Sequence, residues 1–458
     1  MSSLLSGLPN MNSLLEHTLF SGIGAERVKR AAREVLDELR DGIISGDVDK
    51  LPNIDECAEM VLNKINGDAK NLRGIINATG IILHTNLGRA PLGMEMFAAA
   101  AAVCTGYCNL EYDLETGCRG SRYSHVESLI CELTGAEAAM VVNNNAAAVV
   151  LMLSALAAGK KVAISRGELV EIGGSFRIPE IIEQGGATLV EIGTTNKTRL
   201  SDYAYAVENK GAEALLKIHT SNFEIIGFTE SVSIRELAMY GKSIGLPVLY
   251  DMGSCFLIEP ERLGLQSGET ARSAITAGAD IICFSGDKLL GSVQSGIIAG
   301  RSEYIDKIKR HPLARAVRPD KLTLSVLEAC LRLYRYPDEA VQRIPILAML
   351  HANSTELYMR SVEFAKRLAD FLDGWCVEIC EIMDETGGGS LPNAQLPGWA
   401  VSLKPLGMSV NELERRLRCG RIPVIIRIQD DRALISLRTL MLSDEDRVIQ
   451  ALREAVEN

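Results

Sequence analysis

The feature that most constrains this chain is an alternation. Between about residue 67 and residue 320, short apolar runs alternate with helical stretches. The candidate strands are Ala138–Val142, Lys161–Ser165, Thr188–Ile192, Leu215–His219, Pro247–Asp251, Asp280–Phe284 and Ile297–Gly300. Strands separated by helices can pair side by side in the same direction. The pattern therefore predicts an α/β fold with a large, mainly parallel sheet covered by helices on both faces. In such sheets ligands bind beyond the carboxyl ends of the strands, so the residues after each run are the ones to inspect.

Two different patterns flank this region. In residues 1–66, Val28, Ala32, Val35, Leu39 and Ile43 recur at helical spacing over Ala25–Ile44, and Arg27, Arg30, Arg33 and Arg40 fall on the opposite face among acids. A second helix is expected from about Ile54 to Ile65, stopped at Asn66-Gly67. Together they predict a small N-terminal helical domain. After residue 320 a helix Lys321–Tyr334 and a longer one, Pro345–Leu372, lead into a mixed tail. The tail reads as a small C-terminal α+β domain closing with the helix Ser443–Val456. The expected domains are thus 1–66, 67–320 and 321–458.

Charge and cysteine usage narrow the function. The net charge of -11 argues against binding nucleic acid through bulk positive charge, so any RNA contact must rest on a local patch or on shape. The 11 cysteines are scattered. The closest-set pairs, Cys104 with Cys108 and Cys376 with Cys380, have no histidine beside them, so no metal site is expected and most thiols should be core residues. The first residues lack the basic and apolar regions of a signal peptide. The longest apolar stretch, Ala146–Gly159, is interrupted and too short to span a bilayer. A soluble, cytoplasmic protein is expected, with no membrane partner.

Three strand ends carry chemistry. The run Ile281–Phe284 delivers Ser285-Gly286-Asp287-Lys288. Desolvation at such a turn favours the neutral amine of Lys288, which can form a Schiff base with a carbonyl cofactor, and Ser285 could bond a phosphate. The plain alternative is a surface lysine capping a strand. The run Pro247–Tyr250 ends in Asp251, an acid of the kind that keeps a pyridoxal ring nitrogen protonated, or else a structural cap. The run Val141–Val142 ends in Asn143-Asn144-Asn145-Ala146 ahead of an alanine-rich helix. The free amides at that helix start suit a phosphate, although simple capping by Asn145 would look the same. The order of phosphate turn, acid and lysine is that of the fold-type I pyridoxal-phosphate enzymes. Arg315 and Arg318 lie three apart, where a helical turn would give them one face for an oxyanion or merely a solvated one.

Longer motifs join these. They are Asn77-Ala78-Thr79-Gly80 with His84-Thr85-Asn86-Leu87-Gly88-Arg89, the segment Asn109–Gly117, the segment Ser165–Pro179, Gly193-Thr194-Thr195-Asn196, His219–Phe223 and Phe284–Gly291. In content and order they resemble the bacterial selenocysteine synthases, and the likeness runs through nearly the whole chain. It departs after Lys288, where Gly291-Ser292-Val293-Gln294-Ser295-Gly296 replaces the usual Gly-Gly-Pro-Gln-Ala-Gly, and at Cys255, where the family has glycine.

The resemblance implies an L-seryl-tRNA(Sec) selenium transferase. Such an enzyme converts seryl-tRNA(Sec) to selenocysteinyl-tRNA(Sec) with selenophosphate, through an aminoacrylyl intermediate on pyridoxal 5'-phosphate. It implies Lys288 as the cofactor's lysine, Asp251 at the ring nitrogen, and Asn144, Asn145, Ala146 and Ser285 around the phosphate. Arg89, Thr194, Thr195, Asp287, Arg315 and Arg318 would receive selenophosphate. The N-terminal domain would grip tRNA, and copies would assemble as a ring of dimers, a homodecamer. Two other readings use the same residues differently: a pyridoxal-phosphate lyase for a small phosphorylated amino compound, and a non-catalytic RNA-binding relative. Residues 1–66 weigh against the first, and an intact Lys288 and Asp251 weigh against the second.

Overall fold

The computed structural model describes residues 7–457 apart from 47–49, 68–71, 173–175, 221, 222, 224, 267 and 393. The chain divides into two compact units, Met1–Gly74 and Ile75–Asn458. In the first, helix α1 (Ala25–Ser45) and helix α2 (Ile54–Gly67) enclose a core of their own. The predicted stripe of Val28, Ala32, Val35, Leu39 and Ile43 is buried. The arginine face is less free than its spacing implies. Arg27 donates to the Ile65 carbonyl at 3.0 Å, in the last turn of α2, where the helix dipole favours a cation. Arg40 pairs with Asp37 at 2.6 Å.

The second unit is built on a seven-stranded sheet. Its strands are β1 (Ala138–Val142), β2 (Lys161–Ser165), β3 (Thr188–Ile192), β4 (Ala214–Ile218), β5 (Val248–Gly253), β6 (Ile281–Ser285) and β7 (Gly296–Gly300). Every predicted strand is present within two residues of its expected ends. The lateral order is β1-β7-β6-β5-β4-β2-β3. The pairs from β6 through β5, β4 and β2 to β3 are parallel, whereas β7 is antiparallel to both β6 and β1. The connection from β6 to β7 is a short turn, which permits only an antiparallel return. Side chains alternate between two cores. Tyr250, Met252, Ile282 and Phe284 belong to one, and Leu249, Ile281 and Cys283 to the other. Burial of one side chain such as Phe284 stabilises the fold by roughly 1.5–3 kcal/mol, so both faces need their helices.

The tail forms a four-stranded antiparallel sheet. It comprises β8 (Cys376–Asp384), β9 (Leu396–Lys404), β10 (Arg427–Gln429) and β11 (Arg432–Ser436), in the order β8-β9-β11-β10, with the helix Asp444–Glu457 at the end. One expectation fails here. The long helix Pro345–Leu372 is two helices, Pro345–His351 and Ser354–Ala369. The Arg438 guanidinium binds the Met349 and Ala352 carbonyls at 2.8 and 3.0 Å, which ends the first helix, and the Asn353 side chain caps the second. Among the described residues no helix is long and apolar enough to cross a membrane.

Candidate active site

Register brings the first two strand ends together. Gly296 of β7 lies between Val142 of β1 and Ser285 of β6, so the turns that follow β1 and β6 leave the sheet side by side. A Cβ at position 296 would run into the Asn144 carbonyl, which explains the glycine. On β5, Asp251 pairs in register with Cys283 of β6. The three elements read from sequence therefore meet at one edge of the sheet.

The turn after β1 decides against the plain alternative of capping by Asn145. Asn144 caps helix α3 (Asn145–Leu156), its side chain accepting from the Ala147 amide at 2.8 Å. Asn145 does not cap. Its amide group donates to Asp251 Oδ1 at 2.8 Å. The backbone amides of Asn145 and Ala146 stay outside the helix ladder and offer a phosphate two donors at the positive end of the helix.

Asp251 is 1% exposed. Its Oδ1 also accepts from the Gly253 amide at 2.9 Å and from the Cys283 thiol at 3.6 Å. Burial pushes its carboxyl above the usual range, and the Asn145 and Gly253 hydrogen bonds and the nearby Lys288 oppose that rise. Lys288 is 8% exposed, and burial lowers its ammonium below the usual lysine value. A buried lysine poised toward its neutral form can act as nucleophile and base. The turn that carries it is held rigidly. The Gly291 amide donates to the Lys288 carbonyl at 2.8 Å, Leu289 donates to Ser254 Oγ at 3.3 Å, and Tyr334 donates to the Leu290 carbonyl at 2.8 Å. The Ser295 hydroxyl donates to the Val293 carbonyl at 3.1 Å within this turn.

The expected anion-binding residues divide into three groups. Arg89 pairs with Asp287 at 2.8 Å, directly before Lys288. Arg89 holds a left-handed backbone (φ 61°), a conformation that carries strain for a non-glycine residue. Arg315 and Arg318 do not share a helical turn, because the short helix Leu313–Ala316 ends before Arg318. The segment is nonetheless tied to the site, since the Asn143 amide donates to the Val317 carbonyl at 2.9 Å. Arg318 faces Glu111 at 3.6 Å together with Arg119 and Arg122. Thr194 and Thr195 stand apart. They are exposed beyond the end of β3, four strands from β6, which is about 19 Å of sheet at ~4.8 Å per strand. One chain does not bring them to its own Lys288.

The residues at the edge suit pyridoxal phosphate. Among the described residues, an acid with one oxygen uncommitted, a lysine whose charged form burial disfavours and unpaired helix-start amides match its ring nitrogen, aldehyde and phosphate. At this site Asn145 Oδ1 is one of the buried atoms that find no partner among the described residues, and so is free to receive a donor. Sequence reasoning missed Cys283, taken as a core thiol, and Glu111. The one signal for Cys283 was its place two residues before Ser285.

Known proteins resemble the chain in sequence and in fold. The family model described as L-seryl-tRNA selenium transferase matches residues 75–441. The chain is 45% identical to the L-seryl-tRNA(Sec) selenium transferase of Geobacter sulfurreducens, over 99% of each chain. It is 46% identical to that of Moorella thermoacetica, over 99% of this chain and 97% of the other. Among solved structures, D-glucosaminate-6-phosphate ammonia-lyase superposes with a TM-score of 0.58 at 19% identity, covering 89% of this chain and 99% of that one. At that identity the likeness speaks for the fold alone.

Proposed function

The chain belongs to the L-seryl-tRNA selenium transferase family and is a pyridoxal-phosphate-dependent selenium transferase of fold-type I, and from that premise we propose how its residues convert seryl-tRNA(Sec) to selenocysteinyl-tRNA(Sec). The observation that carries the proposal is the buried pair of Lys288 and Asp251 at adjoining strand ends. Pyridoxal phosphate, when bound, supplies an aldehyde for the seryl amine and a protonated ring that draws electrons from the α-carbon. Asp251 Oδ2 would hold the proton at the ring nitrogen, and the Asn145 and Ala146 amides, with Asn144 and Ser285, would hold the phosphate. Lys288 Nζ, whose charged form burial disfavours, would take the α-proton of the seryl group and pass it to the β-hydroxyl, which would leave as water. Because the seryl carboxyl is esterified to tRNA, no arginine is needed to clamp it.

Selenophosphate is the selenium donor in this reading. Arg89, Arg315 and Arg318 offer guanidinium forks to its oxyanion, and Asp287 orients Arg89. Thr194 and Thr195 reach such a site from a second copy of the chain, in keeping with a homodecamer built as a ring of dimers. Residues 1–66 act as the tRNA grip, and residues 67–320 and 321–458 form the catalytic and small C-terminal domains. The separate core of the first helices supports the grip. So does a pocket of 240 Å³ in that unit, lined by Arg33 and Arg40. Recognition there rests on shape and a few placed contacts. The enzyme works in the cytoplasm.

The test is selenocysteinyl-tRNA formation by the full chain from seryl-tRNA(Sec) and selenophosphate. Lys288→Ala should lower turnover by about 10²–10⁴-fold, the range for losing a positioned acid–base group. It should leave tRNA binding intact at a stated salt concentration. Borohydride should fix the cofactor to the Lys288 peptide of the unaltered chain. Turnover of a small phosphorylated amino compound, with no use of seryl-tRNA, would overturn the assignment.

A further inference from the structure

We propose that Asn145 and Cys283 are positioning residues for Asp251: with the Gly253 amide they commit its Oδ1 and so aim Oδ2 at the cofactor's ring nitrogen. The inference rests on pyridoxal phosphate being bound at Lys288. Three donors reach Oδ1, from Asn145 Nδ2 at 2.8 Å, the Gly253 amide at 2.9 Å and Cys283 Sγ at 3.6 Å. Among the described residues no hydrogen bond reaches Oδ2. A carboxylate held only by one oxygen, from three sides, cannot swing, and its second oxygen keeps a single direction.

The helix does not need Asn145 for itself, because Asn144 already supplies the cap. Its own Oδ1 is buried without a partner among the described residues, a cost that a contact made only for packing would not carry. Cys283 sits on the neighbouring strand in direct register with Asp251 and is fully buried. Burial pushes its thiol well above the usual value, so it remains a proton donor, although a weak one. Without such donors a carboxyl in this environment would take up a proton and cease to hold the one on the ring nitrogen.

The experiment is nitrogen NMR of the full chain reconstituted with pyridoxal phosphate labelled with ¹⁵N in the ring, beside a cofactor-binding titration. In the unaltered chain the signal should be that of a protonated ring nitrogen. Asn145→Ala should move it toward the unprotonated position and weaken cofactor binding about tenfold, as loss of one hydrogen bond to a charged group does. Cys283→Ala should move it less, and Cys283→Ser, whose hydroxyl still donates, should restore it. Asn145→Ala should add nothing in an Asp251→Asn background, as expected of a residue acting through that acid.

The proposal is overturned if Asn145→Ala keeps the protonated signal with affinity within twofold, or if it costs as much with Asp251 already replaced. Should that variant not fold, the cysteine pair decides, and identical signals from Cys283→Ala and Cys283→Ser would overturn it. An unaltered chain that took up no pyridoxal phosphate would instead sink the cofactor reading itself.

Discussion

Asp251 and Asp384 of the second unit are each 1% exposed, and they are used in opposite ways. Asp384, at the end of β8, accepts from the Ser436 hydroxyl on Oδ1 at 2.9 Å and from Arg438 Nε on Oδ2 at 2.8 Å. Arg438 gives three more hydrogen bonds, to the carbonyls of Met349, Ala352 and Pro397. Asp251 gathers its donors on one oxygen and is near, but not bonded to, a cation. Burial raises both carboxyls above the usual range. The difference teaches how to tell a structural acid from a working one in a buried setting. The structural acid spends both oxygens inside the fold, and the working acid keeps one for a group that is not part of the chain.

The largest expected effect breaks the structural member. Asp384→Asn leaves the Arg438 charge buried without its counter-ion and should destabilise the protein by about 3–5 kcal/mol. Turnover by the folded fraction should stay within twofold of the unaltered chain. Urea unfolding beside an activity assay checks this, and a loss of turnover without a loss of stability would erase the distinction.

Asp251→Asn should do the reverse, lowering turnover by about 10²–10³-fold, as removal of one preorganised electrostatic contact does. Its effect on apoprotein stability has a definite sign. A carboxyl whose folded value is raised binds its proton more tightly in the native state than in the unfolded one. Its stabilising share is present below the unfolded value, near ~3.9, and is lost as pH rises through the raised folded value. At neutral pH the substitution should therefore leave the apoprotein as stable or more so, and flatten the decline in stability on going up from acid pH. Unfolding curves across that range test it, and a steeper decline in the variant would contradict the burial argument.

The smallest effect carries the same distinction over to arginines. Arg318 faces Glu111, whereas Arg315 is exposed and has no ion-pair partner among the described residues. Arg315→Ala should cost no stability and should weaken use of selenophosphate by roughly 1.5–3 kcal/mol. Arg318→Ala should weaken donor use and also loosen Glu111. Donor saturation curves and melting temperatures for the two variants separate these outcomes. Unchanged saturation in both would make the arginines structural.

The sequence alone determined the strand-and-helix alternation, the strand ends that bear Asp251 and Lys288, and the polar turn before an alanine-rich helix. Each of these is written in neighbouring residues, as an apolar run with a polar residue at its end, and needs no knowledge of the rest of the chain. The tertiary structure alone decided which strand lies beside which. It reversed β7, set Cys283 against Asp251, turned Asn145 from helix cap to carboxylate donor, and left Thr194 and Thr195 four strands from the lysine. It also joined Arg89 to Asp287 and Arg438 to Asp384, pairs far apart along the chain. The physical reason is that periodicity and turn chemistry act over a few residues. Lateral strand order, register and the direction of a buried polar side chain are chosen by the competition of distant groups for the same donors, acceptors and space.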